Sequence, residues 1–383
     1  MPILTPRITV AAVYAGLFFG IGVYMPFFPV WLAGRGFDSA WIAFALALPM
    51  SIRLFTMPLG GLLADRTGRP RATLIAYAAL TALCFVGVAL APTATLMLVA
   101  LGLAASFWQP SQPVLDAYAL AKRRQGLVDY GKVRLWGSLA FIGGNLAGGF
   151  LLGGLPHDAV IWFIVGSSVF TALAALTLDE APLPHKEHLP HVEKVGAVLA
   201  VGIAAAALVQ GSHAVLYAFA SVHWHAIGLS DGAIGVMWAV GVVAEVLLFR
   251  VATRVTARIG PERLLLVGGV VGVIRFSAMT LDPSIYLLPF LQMLHAATFG
   301  CTYLGTVELV ARYAPARKAA GTQAMAAWGT AIAMTSATLL SGVLWERFGS
   351  GAFLLSVGMS LGGTVLAWAA YAMRQPQSAG SGG

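Results

Sequence analysis

The sequence predicts an all-α integral membrane protein of twelve transmembrane helices in two pseudo-symmetric six-helix bundles, and three observations carry that prediction. The first is composition. Of the residues, 59% are hydrophobic and 10% charged, whereas a soluble chain carries about 25% charged residues. A mean hydropathy of +0.83 cannot build a surface that faces water. The second is an internal repeat at an offset of 192 residues, which pairs Phe27 with Phe219, Gly36 with Gly228, Ile42 with Ile234, Arg66 with Arg258 and Gly68 with Gly260. The same register pairs Arg71 with Arg263, Asp116 with Glu308, and Trp136-Gly137 with Trp328-Gly329. A register held over so many turn and charge positions marks two copies of one unit. In membranes, two similar halves around a central cavity mark a secondary transporter. The third observation is the placement of the cations, which sit in short connectors between apolar runs, as the positive-inside rule requires.

Taken in order, the first half offers apolar runs near 9–33, 41–64, 72–91, 94–120, 133–155 and 159–178, each of about the 20 residues that cross a bilayer core. The second half repeats them near 195–225, 231–254, 264–281, 284–311, 319–345 and 351–373. Prolines such as Pro26, Pro29, Pro49, Pro58, Pro110, Pro113 and Pro289 lie inside these runs, where membrane helices tolerate them. The first run is too long for the h-region of a cleavable signal. The expected domains are therefore a first bundle over 1–178, a cytoplasmic linker over 179–194, a second bundle over 195–373 and a flexible tail over 374–383.

Of the 23 Lys and Arg, Arg35 and Arg347 fall on one side and Arg53, Arg134 and Arg275 inside spans; the other 18 share the opposite side with both termini. Both termini are thus expected in the cytoplasm. This distribution also sets aside nucleic acid as the reason for a net charge of +8. Cys84 and Cys301 lie in separate apolar runs, so neither a disulfide nor a metal site is expected.

Ions near the bilayer centre are costly, at least about 2.5–3.5 kcal/mol on insertion scales, which makes them functional candidates. Arg53, Asp116, Arg134, Glu245, Arg275, His295 and Glu308 qualify. Structural ion pairs and snorkelling side chains are the plainer reading, above all for Asp116 and Glu308 near the loops. Arg53 and Glu245 are repeat equivalents of opposite sign, so they either pair across the cavity or charge its two walls oppositely. His213 and Tyr217 stand at i and i+4 on the seventh run, which places them on one helix face. His223 and His225 flank Trp224 in what reads as an interfacial aromatic belt.

The connector after the second run reads GLLADRTGRPR, with Gly61, Asp65, Arg66, Gly68, Arg69 and Arg71. It ends a helix on an acid, turns on a glycine and presents cations to the cytoplasm, a latch that breaks when two bundles rock. This closely resembles the cytoplasmic signature of the major facilitator superfamily, and a decayed copy, with Ala257 in place of Asp65, occupies 253–263. Further resemblances point to lactose permease and its relatives. They are PFFPVWL at 26–32, Asp116 with Arg134 18 residues on, Glu245 in AEVLL, Arg275 in GVVGVIR, and His295 in QMLHAAT. The sequence departs from that permease at Gln292, where it has a lysine, and at Thr298, where it has the proton-carrying glutamate. LVQGSHAVLYAF, LHAATFG and LSGVLWERFG are similar to the phenylpropionate permease group.

The resemblance implies proton-coupled uptake of an aromatic carboxylate by alternating access, with the proton gradient as energy source and no cofactor. Substrate binding is expected from Arg134, Asp116, Trp136, Arg53, Tyr217, His213 and Arg275, and proton coupling from Glu245, His295 and Asp116. Arg134 leads as anion anchor because Trp136 and Gly137 beside it offer a ring face and room for close approach. A sugar or nucleoside symporter and a proton-driven drug exporter are the alternatives. No nucleophile–base cluster or metal-ligand spacing suggests an enzyme. The expected setting is a bacterial inner membrane, with a small-molecule substrate, protons and lipid as partners and the protein monomeric.

Overall fold

The computed structural model describes residues 5–156, 158–179, 196–314 and 319–374, without the side chains at 58–67 and 319–320. The linker expected at 179–194 lies outside the described residues apart from Asp179, and the tail apart from Arg374. The chain is all-α; no strand occurs among the described residues, and nine helical stretches among them are long and apolar enough to cross a membrane.

Six helices fill the first half: α1 (Pro6–Gly34), α2 (Ser39–Thr67), α3 (Pro70–Leu90), α4 (Ala94–Arg124), α5 (Tyr130–Leu152) and α6 (Ala159–Leu176). Local chemistry sets their ends. Pro6 and Pro70 open α1 and α3, where a missing N–H costs nothing. Thr93 and Asp129 cap α4 and α5 by accepting from the amides of Leu96 and Lys132. Gly36, at φ +80°, turns the chain after α1, and its repeat partner Gly228, at φ +93°, does so after α8 (Ala214–Ala226). Both need the left-handed region that glycine alone enters freely.

The seventh run is two helices rather than one. It breaks at Ser212 and His213, between α7 (Ala197–Gly211) and α8. The Ser212 hydroxyl donates to the Val209 carbonyl and His213 Nδ1 to that of Gln210, so side chains replace the lost backbone partners, as at many Gly/Ser kinks. Next come α9 (Asp231–Arg250), α10 (Ala252–Arg258), α11 (Pro261–Met279) and α12 (Leu288–Met293). A π-helical turn over Ala296–Cys301 leads into α13 (Thr302–Tyr313), followed by α14 (Ala319–Phe348) and α15 (Phe353–Met373).

The chain forms two compact units. One gathers the described residues of Met1–Leu189, Val215–Val243 and Thr338–Gly349; the other gathers those of Pro190–Ala214, Ala244–Ala337 and Ser350–Gly383. In the first, α1 packs on α5 and α6, and α4 on α2 and α3. Glycines allow the close approach: a Cβ at Gly22 would lie 2.3 Å from the Phe141 carbonyl oxygen, and one at Gly144 2.4 Å from that of Phe19. This is the small-residue packing by which membrane helices gain dispersion contacts. In the second unit α11 and α7 pack on α15, and a Cβ at Gly363 would lie 2.5 Å from Val209 Cγ2.

Candidate functional site

Each unit brings several of the expected site residues together in a polar cluster. In the first unit it centres on Asp116 of α4. Tyr14 of α1 and Tyr130 of α5 both donate their hydroxyls to Asp116 Oδ1, the latter at 3.1 Å. Arg134, one turn along α5 from Tyr130, lays its guanidinium 4.2 Å from the centroid of Phe18 and 5.7 Å from that of Tyr14. It makes no ion pair or hydrogen bond with a described residue. Asp116 and Arg134 therefore share an aromatic shelf without contacting each other, and the guanidinium N–H groups stay available to a ligand.

Gly137 makes this placement possible. A Cβ there would lie 2.9 Å from Arg134 Nη1 and 3.0 Å from Phe18 Cδ2. Trp136 is 54% exposed; two positions along a helix is roughly the opposite face, so the ring beneath Arg134 belongs to Phe18. Arg53, on α2, is exposed and donates through Nε to Met57 Sδ. Tyr217 lies on α8, its ring 5.8 Å from that of Trp238, whose indole N–H donates to Ser221. His213 stands in the break, directly before α8 begins at Ala214. Trp224 is buried, at 1% exposure, two residues before the end of α8.

In the second unit His213, Arg275, Gln292, His295, Thr298 and Glu245 come together. Arg275, fully buried, donates through Nη1 to Thr298 Oγ1 at 3.1 Å and through Nη2 to Gln292 Oε1 at 2.9 Å. The two departures from the lactose permease pattern are thus the side chains that hold this arginine. His213 Nε2 stands 2.9 Å from Thr298 Oγ1 while its Nδ1 faces the Gln210 carbonyl at 3.1 Å. A carbonyl only accepts, so Nδ1 carries the proton. Nε2 then accepts the Thr298 hydroxyl proton, and Thr298 oxygen accepts from Arg275. The Thr298 hydroxyl also lies 3.5 Å from the His295 carbonyl, a longer second contact.

His295 Nε2 lies 3.4 Å from Glu245 Oε2, with side-chain exposures of 12% and 19%. The His295 ring stands edge-on to His213 at 5.3 Å and stacks on Phe299 at 5.1 Å. The π turn shapes this wall. The Gln210 amide donates to the Phe299 carbonyl within it, and the Thr302 hydroxyl to that of Thr298. Single π turns of this kind are frequent at functional sites.

In the loop signature, the side chains of Gly61, Asp65 and Arg66 lie outside the described residues, although their backbone continues α2. Gly68, at φ +61°, makes the turn, and Arg69 is exposed. Arg71 donates to the Leu176 carbonyl at 2.8 Å, a cation on the negative end of α6.

Sequence reasoning missed Tyr14, Phe18 and Gln210. Tyr14 and Asp116 are 102 positions apart, and nothing local to either announces the bond. The Gly211-Ser212 pair ahead of His213 was a readable sign of the break.

Residues 8–355 match the model of the MFS_1 like family. The chain is 31% identical over 355 residues to a probable 3-phenylpropionic acid transporter of Escherichia coli (strain K12), covering 89% of this chain and 91% of that one. It is 27% identical over 349 residues to the maltose permease of Geobacillus stearothermophilus, covering 89% and 88%. Among solved structures, the nucleoside transporter NupG superposes with a TM-score of 0.81 at 16% identity, covering 97% of this chain and 99% of that one. A D-xylose-proton symporter does so at 0.72 and 14%, covering 94% and 97%. At these identities the structural likeness speaks to the fold.

Proposed function

This chain belongs to the MFS_1 like family of major facilitator transporters, and we propose that it is a proton-coupled symporter of a small organic anion, an aromatic carboxylate first. That it is a multi-pass membrane transporter and not an enzyme follows from the family. The anion reading rests on Arg134. A guanidinium held on Phe18 and Tyr14, with no acceptor among the described residues, offers a carboxylate a fork of two parallel N–H bonds. The nearby acid, Asp116, already has two tyrosine hydroxyls on one oxygen, which limits its competition for the same N–H groups. The aromatic part of the substrate would pack on the ring shelf. A relative whose name is that of a 3-phenylpropionic acid transporter supports this chemistry.

Proton coupling falls to Glu245 and His295. Two titratable groups 3.4 Å apart and partly exposed exchange a proton as their surroundings change. A proton on Glu245 loosens its hold on His295, whose edge contact with His213 reaches Thr298 and Arg275. Alternating access then moves two six-helix bundles against each other in the bacterial inner membrane. Both termini are cytoplasmic, and the protein works as a monomer, with the loop signature as latch.

Proteoliposome uptake of labelled 3-phenylpropionate, maltose and a nucleoside, with and without an imposed proton gradient, tests the reading. We expect gradient-dependent uptake of the acid, and more than tenfold weaker acid binding in Arg134→Lys, which keeps the charge and loses the fork. A neutral sugar or nucleoside that binds far more tightly than any aromatic acid would overturn it. That outcome would favour the second reading, a sugar symporter, for which the maltose permease likeness speaks.

A further inference from the structure

Among α1, α3, α4 and α6 lies a cavity of about 10 Å³. Five of its lining side chains are hydroxyls, and all are buried: Thr81 is 1% exposed, Thr171 3%, Ser111 4%, Ser168 5% and Ser167 8%. Four have their protons committed. Ser111 donates to the Phe107 carbonyl, Ser167 and Ser168 both to that of Ile164, and Thr171 to that of Ser167, at 2.7–2.9 Å. Their oxygens can therefore only accept from anything in the cavity. The fifth, Thr81 Oγ1, has no partner among the described residues. It is the one hydroxyl in the wall with an uncommitted proton.

We propose that this cavity is a built site for one water molecule that ties α3 to α4 and α6. The complement of several acceptors and one free hydroxyl is a molecule that donates two protons and accepts one. Water does both, and buried waters typically make about three such bonds. The size agrees, since a cavity of about 10–15 Å³ on this measure holds one water and little more. A bare sodium ion would suit the acceptor oxygens, but no carboxylate lines the cavity to offset a buried charge. The room itself comes from α1: a Cβ at Gly16 would lie 2.5 Å from Thr171 Oγ1, and one at Gly20 2.3 Å from Ser167 Oγ. These glycines let the hydroxyl face of α6 approach, and Thr81 closes the site from α3. Trp108, which also lines it, stands edge-on to Tyr24 and Phe85 at 5.5 and 5.2 Å, so the water would buttress an aromatic cluster of the same unit.

The sign of one substitution separates a wet site from a dry one. Thr81→Val keeps the shape and removes only the hydroxyl. In a dry cavity that deletes an unsatisfied polar group, so the melting temperature of the detergent-purified protein stays or rises. In a hydrated one it strands the water, and the melting temperature falls by several degrees, while Thr81→Ser falls less. A variant that does not fold is covered by X-ray radiolytic labelling of the wild-type protein in H₂¹⁸O. Slowly exchanging label on α3, α4 and α6 peptides at this level supports the proposal, and its absence refutes it. Stabilisation by sodium chloride over choline chloride that Thr81→Val abolishes would replace water with a cation and also refute it.

Discussion

Thr298 tests the second cluster most directly, because its hydroxyl bonds both the buried arginine and His213. Thr298→Val preserves shape, so no cavity term enters and the loss is polar. The Arg275 bond at 3.1 Å is charge-assisted, a class worth about 1.5–3 kcal/mol; the His213 bond at 2.9 Å is neutral and worth about 1 kcal/mol. Arg275, His213 and Thr298 are all at 0% exposure, so solvent cannot replace what is removed. Arg275 keeps its bond to Gln292, which argues for the middle of the range. The expected destabilisation is about 2–4 kcal/mol, read from denaturant titration of the micellar protein by tryptophan fluorescence. Thr298→Ser keeps the oxygen and loses one methyl, about 0.8 kcal/mol. A cycle with His213→Phe should show that the two losses are not additive, as for contacting residues. If Thr298→Val and Thr298→Ser are equally destabilising, the methyl and not the hydroxyl matters, and the network reasoning is wrong.

Two further outcomes are expected. Glu245→Gln should abolish gradient-driven accumulation while counterflow exchange persists, because exchange needs no net proton movement; accumulation by the mutant under a pH gradient would remove Glu245 as proton carrier. Gly137→Val should weaken acid binding at least tenfold with little change in expression, since its Cβ would meet Arg134 Nη1 at 2.9 Å and Phe18 at 3.0 Å; wild-type affinity in calorimetry would detach Gly137 from the anchor.

Much of the fold was legible because it rests on local signals. Apolar length, the loop glycines and the cations announced the helices and their connectors. The site was legible in part: Asp116, Arg134, Arg275, His295 and Glu245 stand out as ions in apolar runs. Their partners were not. Phe18 beneath Arg134 and Gln210 opposite Phe299 are unremarkable residues on other helices, and only tertiary packing selects them. The placement of Trp136 failed for a different reason. Sequence adjacency suggests contact, while the 3.6-residue period turns residue i+2 away from residue i. The seventh run reads as one helix in the sequence, and the break at 212–213 divides it into α7 and α8.

The repeat also explains which positions carry chemistry. Where both halves keep a residue, its role is scaffold. Gly36 and Gly228 are both left-handed turns, and Phe27 and Phe219 are both buried, at 1% and 0%. Trp136 and Trp328 are both exposed, at 54% and 49%. Arg71 bonds the Leu176 carbonyl at the end of α6, and its partner Arg263 bonds the Tyr371 hydroxyl near the end of α15, so each ties the third helix of its half to the sixth. Asp116 keeps an acid partner in Glu308, but other cluster residues break this rule. Shifted by 192, Arg134 becomes Ala326, Tyr14 becomes Ala206 and Tyr130 becomes Thr322, while His213, Arg275 and His295 answer to Ile21, Leu83 and Leu103. A scaffold contact needed to build one bundle is needed to build the other, and the shared register preserves it. A buried arginine or histidine is costly in a bilayer and contributes nothing to helix packing that leucine or alanine does not. Its presence in one half alone therefore calls for a reason outside the fold, and the proposed anion with its proton would supply one.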